Sequence, residues 1–263
     1  MHRTIRQLGV SGLVLLAIAA LLVSVWANVW KQDLVVQKLT VHGTRYVLRG
    51  DIIAAASIPA KERLFDVDLF AVQRRVMGDT FLKSVSVRRE VPDGIVITVE
   101  ERVPIAAVML RGVIYLDAEG FVLPPPRSRE VIDVPVLTGS VESSDLQPGT
   151  YITRPSLVEA LSVVRLARTI DERLYRLISE VQMSGKRGLV FYTAEAGVPV
   201  IIGRENIGVR LVNFDGFWRQ FVDPRGAGEL QYVDLRFEDQ VVVKWKNTGV
   251  DDQPTDQRGA VQM

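Results

Sequence analysis

The sequence predicts an α+β protein. It has a single N-terminal transmembrane helix, a small unit of order β-α-α-β-β, and a larger mixed β domain with two helices and a C-terminal β-hairpin. Three observations predict this. No charged residue lies between Arg6 and Lys31. Between residues 35 and 101, Val/Ile alternation brackets two short helical stretches. After Pro104, short strand-like segments are interleaved with two longer amphipathic stretches.

The run from Gln7 to Trp30 is Leu, Val, Ala and Ile with a few Gly and Ser. A helix rises ~1.5 Å per residue, so ~20 apolar residues cross a ~30 Å hydrocarbon core. Leu13, Leu16 and Leu21 would face lipid, and Trp26 and Trp30 would sit at the far water interface. Arg3 and Arg6 precede the run, while Lys31 is offset by Asp33. The basic excess puts residues 1–6 in the cytoplasm and the body outside the inner membrane. A cleaved signal peptide would have a shorter apolar core and a small-x-small site. Ser24-Val25-Trp26-Ala27-Asn28 is a poor one, so the anchor is read as retained.

Val35–His42 alternates around Val36, Leu39 and Val41 and stops at Gly43, a strand. Arg49–Ala56 has helical composition and ends before Ile58-Pro59, where Pro disfavours a helical predecessor. Asp66 or Asp68 caps a second helix with Leu69, Val72, Val76 and Met77 on one face, and Gly78 ends it. Leu82–Val91 and Ile95–Glu101 are strands joined by the turn Pro92-Asp93-Gly94. Together, residues 35–103 make a three-stranded sheet with helices on one face.

The second domain is expected over residues 104–246. Ile105–Leu110, Val113–Asp117 and Gly120–Leu123 read as strands, and Pro124-Pro125-Pro126 opens a polar connection to Val134. Ser156–Ile170 is an amphipathic helix with Leu157, Ala160, Leu161, Val164 and Ala167 facing inward. Leu177–Met183, Gly188–Tyr192 and Val198–Ile202 are successive strands in a mostly antiparallel sheet. Ile207–Phe221 is a second helix carrying Phe214, Phe217 and Trp218. Tyr232–Phe237 and Val241–Trp245 form the last hairpin around Glu238-Asp239-Gln240. Residues 247–263 are polar and without periodicity, and a disordered tail is expected there.

The chain has 263 residues, 48% of them hydrophobic, with 32 basic and 31 acidic side chains and a net charge of +1. Neither a nucleic acid nor a polyanionic substrate follows from that balance. No Cys is present, which excludes disulfides, thiol chemistry and thiolate-bound metal. The two histidines, His2 and His42, fall on opposite sides of the apolar run and cannot share a metal. No Gly-x-Ser-x-Gly, P-loop or dinucleotide fingerprint occurs. Glu100 and Glu101 point to opposite faces of a strand, so they form no catalytic pair. Arg49-Gly50-Asp51 spells an adhesion tripeptide, but Asp51 there is more simply a first-turn acid. No catalytic residue, metal site, cofactor or small-molecule substrate is expected.

The remaining candidate is Val241-Val242-Val243-Lys244-Trp245, strongly β-forming and close to the end of the sequence. Two readings stand on these residues. It is an exposed sheet edge that takes another chain's strand, or a central strand with Trp245 in the core.

The run Val85-Ser86-Val87-Arg88-Arg89-Glu90-Val91-Pro92-Asp93-Gly94-Ile95-Val96-Ile97-Thr98-Val99-Glu100-Glu101-Arg102-Val103-Pro104-Ile105-Ala106 resembles the junction between the POTRA and β domains of the bacterial cell-division family FtsQ, called DivIB in Gram-positive bacteria. Leu64-Phe65-Asp66-Val67-Asp68 resembles the stretch before its second POTRA helix. Tyr115-Leu116-Asp117-Ala118-Glu119-Gly120 is similar to the hairpin that opens its β domain, and Tyr232–Phe237 with Val241–Trp245 to its last two strands. The resemblance implies a POTRA domain over 35–103 and a non-enzymatic inner-membrane protein of the division septum. It implies binding to FtsB and FtsL, and through them control of the peptidoglycan synthase FtsW–FtsI.

The resemblance further implies that the FtsB segment pairs with the last strand, which favours the edge reading. The partner-binding residues would be Arg187, Phe237, Glu238, Val241, Val242, Val243, Lys244 and Trp245, with Arg187 meeting an acidic residue of FtsB. Phe237 stands where the family often has Tyr, and Glu238-Asp239-Gln240 where it often has a small residue or Gly. The POTRA surface around Arg88 and Glu101 would face other divisome proteins. Two rivals remain: a POTRA-type envelope chaperone or export component that binds extended polypeptides, and an anchored envelope hydrolase.

Overall fold

The computed structural model describes residues 15–26, 34–184, 188–238, 240–246 and 259–262. The chain divides into two compact units, Met1–Glu101 and Arg102–Met263. Helix α1 over 15–26 is the described part of the apolar N-terminal run, and Leu16, Leu21 and Trp26 lie exposed on it. Leu13 and Trp30 fall outside the described residues. At ~1.5 Å per residue such a helix measures roughly 18 Å, short of a ~30 Å hydrocarbon core. Among the described residues, no helix is long and apolar enough to cross a membrane. Residues 7–14 and 27–30 of the spanning helix expected over 7–30 lie outside the described residues.

The first unit follows the expected order: β1 (Lys38–His42), α2 (Arg49–Ala56), α3 (Leu69–Val76), β2 (Leu82–Glu90) and β3 (Gly94–Glu101). The sheet order is β1-β3-β2, with β3 parallel to β1 and antiparallel to β2. Ile95 and Ile97 on the central strand are fully buried, as its position demands. Strand β1 begins later than the alternation suggests, because Val35 makes only an isolated bridge to Arg63. Asp68, not Asp66, caps α3: its carboxylate accepts the N–H groups of Phe70 and Ala71, each at 3.0 Å. Val72 and Val76 face the core, whereas Met77, expected beside them, is exposed because the helix ends at Val76. The Arg75 guanidinium donates to the Ala56 carbonyl at 2.6 and 3.2 Å, satisfying the orphaned C-terminus of α2.

The second unit contains one ten-stranded sheet of order β13-β12-β11-β10-β9-β8-β7-β4-β5-β6. In chain order these are β4 (Pro104–Met109), β5 (Val113–Asp117), β6 (Val122–Leu123), β7 (Val136–Thr138), β8 (Ile178–Ser184), β9 (Gly188–Thr193), β10 (Pro199–Gly203), β11 (Leu230–Asp234), β12 (Gln240–Trp245) and β13 (Gly259–Gln262). Most neighbours are antiparallel; β4–β7, β7–β8 and β10–β11 are parallel. Helices α4 (Pro155–Ile170), α5 (Glu172–Leu177) and α6 (Ile207–Phe217) accompany the sheet. The inward face of α4 buries Leu157, Ala160, Leu161, Val164 and Ala167, with Val163 added. Phe214 on α6 packs edge-on against Phe191 of β9, ring centroids 5.1 Å apart.

Five features depart from the sequence reading. Residues 136–138 form a strand, β7, inserted between β4 and β8. Residues 172–177 form a helix, α5, capped by the Asp171 carboxylate, which accepts the Arg173 N–H at 2.7 Å. Helix α6 ends at Phe217 and passes into a π-helical turn, Trp218–Val222. Strand β11 ends at Asp234, leaving Phe237 in the connection to β12. The tail expected to be disordered carries a strand at Gly259–Gln262. These four residues gain a backbone ladder on an existing strand, which needs no apolar periodicity of their own.

Candidate protein-interaction edge

Strand β12 is fixed on one side by β11, with Val233 opposite Val243 and Asp234 opposite Val242. On its other side lies β13, in unbroken antiparallel register from Gln240 opposite Gln262 to Val243 opposite Gly259. The outermost strand at this end is therefore β13 rather than β12. Strand periodicity sends Val241 and Val243 into the core, where Val243 is only 4% exposed. Val242 is half-buried and Lys244 is exposed. Trp245 packs half-buried against the core, with the Arg225 guanidinium 5.8 Å from its ring centroid. The central-strand reading thus holds for Val241 and Val243, which face the core, whereas β12 is not an exposed edge, because β13 of the same chain pairs along its outer side.

A polar corner fixes the approach to β12. The Asp234 carboxylate accepts a forked pair of bonds from Arg236, Nε at 2.9 Å and Nη2 at 2.6 Å, and also the Arg236 backbone N–H at 3.1 Å. The hydrogen bond to Asp234 holds Arg236 above its already high ordinary pKa. Arg210 on α6 donates to the Ile202 carbonyl at 2.7 Å and to that of Arg236 at 3.3 Å. Beyond this corner Phe237 is 52% exposed and Glu238 is exposed. The corner was legible only in part: Asp234-Leu235-Arg236 places acid and base two apart at a strand end, but Arg210 is 26 residues from Arg236.

The other expected site residues fall elsewhere. Arg187 and Asp239 lie outside the described residues. Glycine at 188, where β9 begins, has φ +77°, and a Cβ there would meet the Gly203 Cα at 2.9 Å. The start of β9 therefore runs tightly against β10. In the first unit Arg88 is exposed with Glu90 3.8 Å away. Glu101 behaves differently from a surface contact. Its carboxylate accepts three backbone N–H groups, from Arg45 at 3.0 Å, Tyr46 at 2.7 Å and Val47 at 3.0 Å. Among the described residues no group of three or more His, Cys, Asp or Glu is placed to hold a metal.

The chemistry on offer at this edge is therefore backbone pairing flanked by aromatic and charged side chains. Residues 34–102 match the family model described as POTRA domain, FtsQ-type, and residues 107–236 match that of Cell division protein FtsQ/DivIB, C-terminal. A Cell division protein FtsQ of Rhodothermus marinus is 30% identical over 251 residues, covering 92% of this chain and 88% of that protein. Its counterpart in Syntrophotalea carbinolica is 29% identical over 211 residues, covering 80% and 73%. One from Geobacter sp. is 28% identical over 208 residues, covering 79% and 75%. With both units matched in order and a relative aligned over nearly its full length, the chain belongs to the FtsQ/DivIB family of non-enzymatic cell-division proteins.

Proposed function

We propose that the chain is a divisome scaffold, anchored in the inner membrane by residues 7–30, that takes a strand of FtsB at the outer edge of β12. FtsL accompanies FtsB, and the assembly localises and controls septal peptidoglycan synthesis by FtsW–FtsI. The observation that supports this most is the unbroken antiparallel ladder that β12 offers on its outer side, over Gln240–Val243. Phe237 and Trp245 would flank the incoming segment. Arg187 would meet an acid on it, and that pair gains when the partner excludes water. The exposed Arg88 on β2 is the stronger candidate for other divisome contacts, since Glu101 is engaged by its own chain.

The test is binding of the soluble cognate FtsB segment to the full chain in detergent, wild type against Val243→Pro and Trp245→Glu, with circular dichroism on each. Proline deletes a ladder donor, so Val243→Pro should abolish binding. Trp245→Glu, at the strand end, should weaken binding by at least about thirtyfold, the scale of a lost anchor. Undiminished binding by both folded variants sinks strand addition at β12. Weak binding of many unrelated extended peptides would favour the chaperone reading instead.

A further inference from the structure

We propose that Gly259–Gln262 is a built-in placeholder that occupies the docking edge of β12 until a partner strand displaces it. This rests on the reading that the partner adds to β12. The described ladder pairs Gln240, Val241, Val242 and Val243 with Gln262, Val261, Ala260 and Gly259. An incoming antiparallel strand would need those same backbone groups. The edge is thus filled from within the chain, and strand addition becomes strand exchange.

The occupant is suited to leaving. It is four residues long and sits at the end of the sheet, so a ladder on one side only holds it. Gly259 and Ala260 are residue types of low strand preference, and of the four only Val261 favours a strand. Strand β12, in contrast, is held by β11 and by core contacts of Val241 and Val243, so it stays in place when the occupant departs. Twelve residues, 247–258, join Lys246 to Gly259. A tether of that length keeps the occupant at roughly millimolar effective concentration, enough for a weak ladder to form without a tight one.

Filling the edge also has a protective use. An open apolar strand edge templates pairing between copies, and natural sheets cover such edges. Here the cover is on the same chain, so the edge is closed to casual partners. A partner with a longer and more apolar strand competes successfully. Occupancy lowers the apparent affinity by the fraction of time the edge is open. A placeholder closed for most of that time weakens partner binding about three- to tenfold.

The experiment uses the full chain in detergent beside two variants: one stopped after Lys246, and Val261→Pro. Amide hydrogen exchange comes first and needs no partner. The amides within Gln240–Val243 that bond to the tail should exchange about three- to tenfold faster in both variants, with β8, β9 and β10 unchanged. Equal exchange in all three proteins overturns the placeholder. Binding of the soluble FtsB segment comes second, and both variants should bind about three- to tenfold more tightly than the parent. Equal or weaker binding by the stopped chain also overturns the placeholder. It leaves strand addition itself standing if Val243→Pro still abolishes binding. No binding by any of these proteins overturns both the placeholder and the reading on which it rests.

Discussion

Glu101 ends β3 with its carboxylate turned back onto the loop after β1, where three consecutive N–H groups at Arg45, Tyr46 and Val47 converge on it. A carboxylate that accepts several backbone N–H groups orders a loop that would otherwise leave donors unmet. Glu101→Ala should lower the stability of the first unit by about 2 kcal/mol. Glu101→Gln should recover part of it; urea denaturation of the folded chain checks both. Asp171 is a second such case. The Arg173 backbone N–H, and then the Arg219 side chain, hold its carboxyl below the ordinary aspartate value. A folded-state value below the unfolded one adds stability that is fully present above about pH 4 and fades as pH falls through the folded value. Asp171→Asn should therefore flatten the loss of stability on acidification below about pH 4, read from denaturation midpoints across pH.

At the scale of elements, the tight start of β9 gives a measurable contrast. Gly188 has φ +77° and faces the Gly203 backbone, so a methyl group there meets Cα at 2.9 Å. Gly197 has φ +61° but open space around it. Both Ala variants pay the left-handed penalty of about 1–2 kcal/mol, and only Gly188→Ala adds a backbone clash. Gly188→Ala should therefore lower the melting temperature clearly more than Gly197→Ala. The Asp234–Arg236 fork acts on β12 in a similar way, because it fixes where the chain leaves β11. Arg236→Ala leaves a buried carboxylate short of its main partner and should cost about 1.5–3 kcal/mol, again by denaturation.

Elements legible in the sequence are those whose signal is local. Helix α2 spans Arg49–Ala56 as its composition and the following Pro59 predict, and α4 buries the stripe that its period predicts. Strand β7 is three residues directly after Pro135, too short to show alternation, and it sits between β4 and β8. Helix α5 is six residues, below the length at which a 3.6 period is readable. Strand β13 has no local signal, and only its partner β12 makes it a strand.

For the whole molecule, the proposed anchor over residues 7–30 would set where the two units work. The full chain should sediment with membranes and be released only by detergent, whereas removal of residues 1–30 should leave it in the soluble fraction after lysis. Sedimentation of the shortened chain with membranes would place the attachment elsewhere. On the proposed function, the two units would divide the labour of docking. The first offers a three-stranded sheet with Arg88 outward, and the second offers the β12 edge. Variants at each should therefore separate recruitment to the septum from binding of the strand partner.

By itself the sequence determined the order of elements in the first unit, and the two long helices and the strong last hairpin of the second. It also pointed to Val241–Trp245 as the segment of interest. These follow from periodicity, capping residues and composition, all of which act within a few residues along the chain. Only the tertiary structure decided that β7 enters the sheet, that Glu101 is a loop lock, and that Arg210 reaches the Asp234–Arg236 corner. It also decided that β12 is covered by Gly259–Gln262. Each of these depends on backbone or side-chain groups far apart in sequence meeting in space, and long-range pairing leaves no periodic trace in the residues that take part.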